Sequence, residues 1–173
     1  AHKYTPNNLR LLKNKLQRMK ASYFIWLVLA VFVSFGSLSA QSTYCLPTYT
    51  TGCTDGDQIT HFSTTGASVN ISNSTNGCSG GVDGYGDFTS MSASVSLGAT
   101  FGFTVQSGPS YSQGQTIWID WNQDYDFNDP GEQVWQSSGW STSLQTGTIS
   151  VPNNAIPGTT RMRVRCNSDA LCT

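Results

Sequence analysis

The 173-residue chain carries a formal net charge of −1, and that near-balance hides two segments of opposite character. Lys3, Arg10, Lys13, Lys15, Arg18 and Lys20 all precede the first acid, which is Asp55. From residue 41 onward ten acids stand against three bases (Arg161, Arg163 and Arg165), a net charge of −7. A body this acidic repels nucleic acid and anionic membrane and attracts divalent cations.

The charge change marks a targeting segment. Arg18 and Lys20 precede an apolar run from Tyr23 to Phe35, and small residues follow, ending Ser37-Leu38-Ser39-Ala40. A basic flank, a short apolar stretch and a small-residue exit read as a secretory signal over residues 19–40. The run breaks at Ser34, short of the ~20 residues that a membrane span needs. Met19 is a natural start, so residues 1–18 read as an upstream stretch or a long basic flank. Residues 41–173 are then one secreted domain, large enough to bury its own core.

That domain contains no Lys and is rich in Ser, Thr, Gly, Asn, Trp and Tyr. Alternation dominates its pattern, and no stretch has helical periodicity. Ile59 to Phe62 and Val69 to Ile71 are the first candidate strands. Ser94–Leu97, Thr100–Val105, Thr116–Trp121, Glu132–Trp135, Leu144–Val151 and Arg161–Cys166 follow. Turn signals separate several of them: Gly80-Gly81, Gly108-Pro109, Pro130-Gly131 and Pro157-Gly158. Many short strands at such spacing predict an all-β fold, a β-sandwich or a jelly-roll-like domain. Cys45, Cys53, Cys78, Cys166 and Cys172 all follow the signal, so they read as disulfide cysteines before metal ligands. At least one bridge is expected among Cys45, Cys53 and Cys78. Five is odd, which leaves one thiol free or paired outside the chain.

The densest chemistry is Asp120-Trp-Asn122-Gln-Asp124-Tyr-Asp126-Phe-Asn128-Asp129-Pro-Gly131-Glu132. Side-chain oxygens recur at every second residue from Asp120 to Asn128. A hard cation such as Ca²⁺ takes six to eight oxygens, and a folded-back loop of Asp and Asn supplies them. Asp120, Asn122, Asp124 and Asp126 occupy the first, third, fifth and seventh places of a helix–loop–helix calcium loop. Tyr125 stands where its sharp turn wants Gly, and Glu132 falls one residue late. The expected site is therefore carried on a hairpin, with Asp120, Asn122, Asp124, Asp126 and Glu132 around Ca²⁺. The plainer alternative is a solvated turn.

Ile117-Trp-Ile-Asp-Trp-Asn-Gln-Asp-Tyr-Asp-Phe-Asn-Asp-Pro-Gly-Glu132, Ile149-Ser-Val-Pro152 and Gly158-Thr-Thr-Arg-Met-Arg-Val-Arg165 together resemble the GEVED domain. Tyr44-Cys45, Gly52-Cys53 and Gly84-Tyr-Gly-Asp-Phe-Thr-Ser90 fit the same pattern, so the likeness covers nearly all of residues 44–173. The resemblance implies a module of secreted, often multidomain bacterial proteins, found beside proteases, adhesion modules and sorting tails, with no assigned catalytic residues. It also implies a domain cut short, because the Gly-Glu-Val-Glu-Asp stretch expected after Cys172 is absent.

Arg161, Arg163 and Arg165 alternate with Met162, Val164 and Cys166, which puts three guanidinium groups on one sheet face. They would ride there solvated, or pair with acids of a neighbouring strand. Trp118, Trp121, Trp135 and Trp140 suit either core packing or stacking on sugars. Trp121 shares a face with Ile117 and Ile119, whereas Trp140 is the exposed candidate. Gly77-Cys-Ser79-Gly-Gly81 matches a nucleophile pattern without the strand-to-helix setting that gives it meaning, and His61 is the single histidine after the signal. The expectation is a non-catalytic, calcium-stabilised extracellular module for adhesion, surface display or substrate targeting. Its partners would be cell-surface glycans or other domains of the same protein. The alternatives are an accessory domain of a secreted hydrolase, such as a metalloprotease, and a carbohydrate-binding module.

Overall fold

A computed structural model describes residues 43–46, 53, 56–75, 77–78 and 84–167. The chain divides at Ala40/Gln41 into two units, and these residues belong to the second. The expected signal segment lies outside the described residues.

Among the described residues seven strands form: β1 (Ile59–Thr65), β2 (Ser72–Asn73), β3 (Thr100–Ser107), β4 (Gly114–Ile119), β5 (Gln133–Gln136), β6 (Gln145–Ser150) and β7 (Met162–Asn167). They make two antiparallel sheets, one in the order β2-β1-β3-β6 and one in the order β5-β4-β7. No α-helix occurs among the described residues. The all-β sandwich expected from alternation is what forms.

Period two explains the core. In β3, Phe101, Phe103, Val105 and Ser107 are buried while the residues between them are more exposed. Phe62 of β1, Ile149 of β6 and Ile117 and Ile119 of β4 complete the centre of the apolar cluster. Phe103 meets Trp135 of the opposite sheet edge-on, with ring centroids 5.0 Å apart, so Trp135 serves the core. A polar link also crosses the sandwich: Gln115 Nε2 donates to Ser107 Oγ at 2.7 Å.

Strand β4 is buried along its whole length, because both its faces are covered. Its inner face carries Ile117 and Ile119, and its outer face carries Thr116, Trp118 and then Asp120. Strand β7 lies beside it with Thr116 opposite Arg165 and Trp118 opposite Arg163. The three arginines therefore share the outer face, as their spacing predicts, but they do not simply ride in solvent. Arg165 sits over the Trp118 ring at 6.0 Å, Arg163 over Phe127 at 4.4 Å, and Arg161 over Tyr44 at 5.0 Å. A cation over an aromatic face gains electrostatic attraction from the ring quadrupole.

Two expected strands fail to form at the expected place. Ser94–Leu97 contributes one bridge, Ser94 to Val69, and then bends. Ala99 N–H donates to Ser96 O, and Gly98 adopts φ 71°, so the residues needed for a strand are spent on the turn into β3. Val69–Ile71 is likewise a single bridge, and the short β2 begins just after it. The bridge expected among the first three cysteines is Cys53–Cys78, with Cα atoms 5.9 Å apart. A disulfide fits an oxidising, extracellular setting. Cys45 is an exposed free thiol. Among the described residues no helix is long and apolar enough to cross a membrane.

Candidate metal centre

The acidic run forms the connection between β4 and β5. Its base is closed by Ile119 N–H donating to Glu132 O at 2.9 Å, and by Glu132 N–H donating to Asp129 O at 3.1 Å. The neighbouring connection from β6 to β7 braces it. Ile156 N–H donates to Trp121 O, Gln123 Nε2 to Ile156 O, and Asp120 N–H to Arg161 O.

The alternating oxygens have a local role. Asn122 Oδ1 accepts from Asp124 N–H (3.2 Å), Asp124 Oδ1 from Asp126 N–H (3.2 Å), and Asp126 Oδ1 from Asn128 N–H (2.8 Å). Each Asx side chain thus caps the backbone two residues on, the arrangement that makes Asn and Asp good turn formers. Asp124 and Asp126, as carboxylates, each keep a second oxygen outside these caps.

Asp120 is engaged differently. It is fully buried on the outer face of the β5-β4-β7 sheet. Its Oδ1 accepts from Gln123 N–H at 2.6 Å, and its Oδ2 from Tyr125 N–H at 3.1 Å and from the Tyr44 hydroxyl at 2.6 Å. Its backbone carbonyl accepts from Thr160 Oγ1. The carboxylate organises the turn instead of pointing into the acidic group. Burial and the Asp120 bond push the Tyr44 hydroxyl up to about 12. Tyr44 lies against Tyr125 and Phe127, each at 5.3 Å between ring centroids.

Gln123 and Tyr125 adopt φ 59° and 73°, in the left-handed region. Tyr125 holds the place where the calcium-loop pattern wants Gly, and the backbone there takes the conformation that glycine would supply. The Asp120 bond and the Tyr44 ring contact hold a bulky residue in it.

Asp124, Asp126 and Asp129 each offer a carboxylate oxygen within 4.8 Å of one another. Asn122 Nδ2 lies between two of them, donating to Asp124 Oδ2 at 3.0 Å and to Asp129 Oδ2 at 2.5 Å. Of the five residues expected from sequence, the structure brings Asn122, Asp124 and Asp126 together. Asp120 turns to the backbone, and Glu132 sits at the base of the loop. Asp129, not among the expected ligands, joins the group. It breaks the every-second-residue pattern, but its place in Asn128-Asp129-Pro130-Gly131, a turn sequence, is the signal that the chain folds back there.

Glu132 is only 2% exposed. Its Oε1 accepts from Trp121 N–H at 2.9 Å, while its buried Oε2 has no hydrogen-bond partner. Burial raises its carboxyl above the ordinary range; the Trp121 bond opposes this, and the charges of Asp120 and Asp124 add to it. A cavity of about 350 Å³ opens beside it, between the two braced connections. Asn122 and Asp129 of the acidic group line this cavity together with Glu132.

Residues 114–173, from β4 to the end of the chain, match the family model of the GEVED domain. No curated protein and no solved structure matches the chain.

Proposed function

We propose that this chain, with residues 114–173 in the GEVED domain family, is a non-catalytic extracellular module whose β4–β5 loop is pinned by calcium. One observation carries the reading: three carboxylates lie within 4.8 Å of one another, and one of them, Asp129, lines the same cavity as a buried glutamate with an unpartnered oxygen. Such a group is stabilised by a cation that takes oxygen ligands. Asp124, Asp126 and Asp129 would supply the charge. Asn122, already bonded to Asp124 and Asp129, and Glu132 at the base of the loop would turn toward the ion to complete its shell, and Asp120 would fix the loop that carries them. Adhesion, surface display or targeting of a linked enzyme would be served by a rigid, calcium-locked loop. The Cys53–Cys78 bridge supports an extracellular place of work.

The test is thermal melting of the full chain in calcium and in chelator at equal ionic strength. Ligand linkage gives ~2.7 kcal/mol when free calcium is one hundred times its dissociation constant. For a domain of this size that is a rise of roughly 10 °C. Asp124→Asn should shrink the rise without lowering the melting temperature in chelator. Equal melting temperatures with and without calcium would leave a solvated acidic turn as the better account.

A further inference from the structure

We propose that the cavity beside the acidic loop binds a neutral sugar, two of whose hydroxyl oxygens complete the coordination of the calcium ion. The proposal rests on the calcium reading and names the ligand class of the same site.

The first support is shared walls. Asn122 and Asp129 belong both to the acidic group and to the cavity lining. An ion held by Asp124, Asp126 and Asp129 therefore lies at the cavity wall. Calcium takes six to eight oxygens, more than these carboxylates supply singly, so coordination positions remain for oxygens from outside the protein. A vicinal diol offers two hard, neutral oxygens at the spacing of adjacent ring carbons.

The second support is the buried glutamate. Glu132 lines the cavity, and its Oε2 is buried without a hydrogen-bond partner. Leaving such an acceptor unmet is costly, and a rotation of the side chain into the cavity would let a hydroxyl donor meet it without adding charge. Another part of the wall comes from the β6–β7 connection, where Asn154 brings an amide and Pro152 an apolar surface. Trp121 adds a half-buried indole, steadied by its Nε1–H donating to Gly131 O at 3.3 Å. An aromatic ring beside planar amide and carboxylate groups suits the mixed apolar and hydroxyl faces of a pyranose.

The third support is charge. Residues 41–173 carry −7, and the cavity wall itself holds Asp129 and Glu132. Uronic acids and other anionic sugars would meet like charge, so the occupant is neutral.

The experiment takes the full chain through two separate readouts. Calorimetric titration with calcium chloride measures the ion alone. An array of neutral and uronate-containing glycans, probed in calcium and in EDTA, measures the sugar. Neutral glycans should be retained in calcium and lost in EDTA. Asn154 is exposed and outside the acidic group. Asn154→Ala should therefore weaken glycan retention about tenfold and leave the calcium isotherm unchanged. A calcium isotherm with no glycan retained overturns the sugar proposal and leaves the calcium reading standing. Retention indifferent to EDTA, or a preference for uronates, overturns it too. No calcium isotherm removes both.

Discussion

The Tyr44 hydroxyl donates a 2.6 Å hydrogen bond to Oδ2 of Asp120, seventy-six residues along the chain. The same oxygen accepts from Tyr125 N–H, so one atom joins the start of the described domain to the turn of the acidic loop. Tyr44→Phe keeps the ring contacts and deletes the donor. The expected loss is about 1–3 kcal/mol of unfolding free energy, the cost of removing a bond to a buried charged acceptor. The raised Tyr44 hydroxyl adds a pH signature. A group whose folded value is raised stabilises fully below its unfolded value, near 10, and loses that contribution as pH rises towards about 12. Denaturant unfolding should therefore show the gap between wild type and Tyr44→Phe closing across that alkaline window.

Glu132→Gln separates burial from ion binding. The glutamate's raised carboxyl means that its contribution to stability is present at low pH and lost as pH rises through the folded value. In chelator near neutral pH the variant should be as stable as wild type or more so, because it removes a buried charge and keeps the acceptor for Trp121 N–H. In calcium the order should reverse. Melting curves of both proteins in both buffers check the crossing.

Tyr125, at φ 73°, distinguishes substitutions by backbone tolerance. Asn enters the left-handed region readily, whereas a β-branched residue there is costly. Tyr125→Val should lose about 1–2 kcal/mol and reduce the calcium-dependent rise in melting temperature. Tyr125→Asn should retain most of both, giving up mainly the ring contact with Tyr44. Denaturant unfolding with and without calcium compares the pair.

Gly147 in β6 tests the sandwich itself. A Cβ added there would stand 2.6 Å from the Phe103 ring and 3.3 Å from Trp135 Nε1. Both rings are held in the edge-on contact between the sheets, so neither can retreat cheaply. Gly147→Ala should destabilise by about 1–3 kcal/mol, the usual cost of overpacking. Its calcium-dependent rise should stay unchanged, because the clash lies outside the acidic loop.

The alternation of Thr100–Val105 and Thr116–Trp121 was enough to read β3 and β4, because each has a long partner strand beside it. Ser94–Leu97 alternates equally well but finds only Val69, and a tight turn takes the rest. Alternation reports what a segment can bury, not whether a neighbour lies alongside. The clustering of carboxylates in the loop was legible, and so was Tyr125 as an odd residue at its sharp turn. The turn of Asp120 toward the loop backbone was not legible, because its cover, Tyr44, arrives from a distant segment. Asp129 was hidden for a related reason: a turn, rather than a period, brings it to Asp124 and Asp126.

The Cys53–Cys78 bridge spans 25 positions, and both β1 and β2 lie within the loop it closes. If the protein is stretched between its ends, tension bypasses that loop through the sulfur atoms. At ~3.4 Å per extended residue, roughly 85 Å of chain is withheld from the extension on unfolding. Reduction would release that length, so the bridge sets how far the domain can yield when pulled.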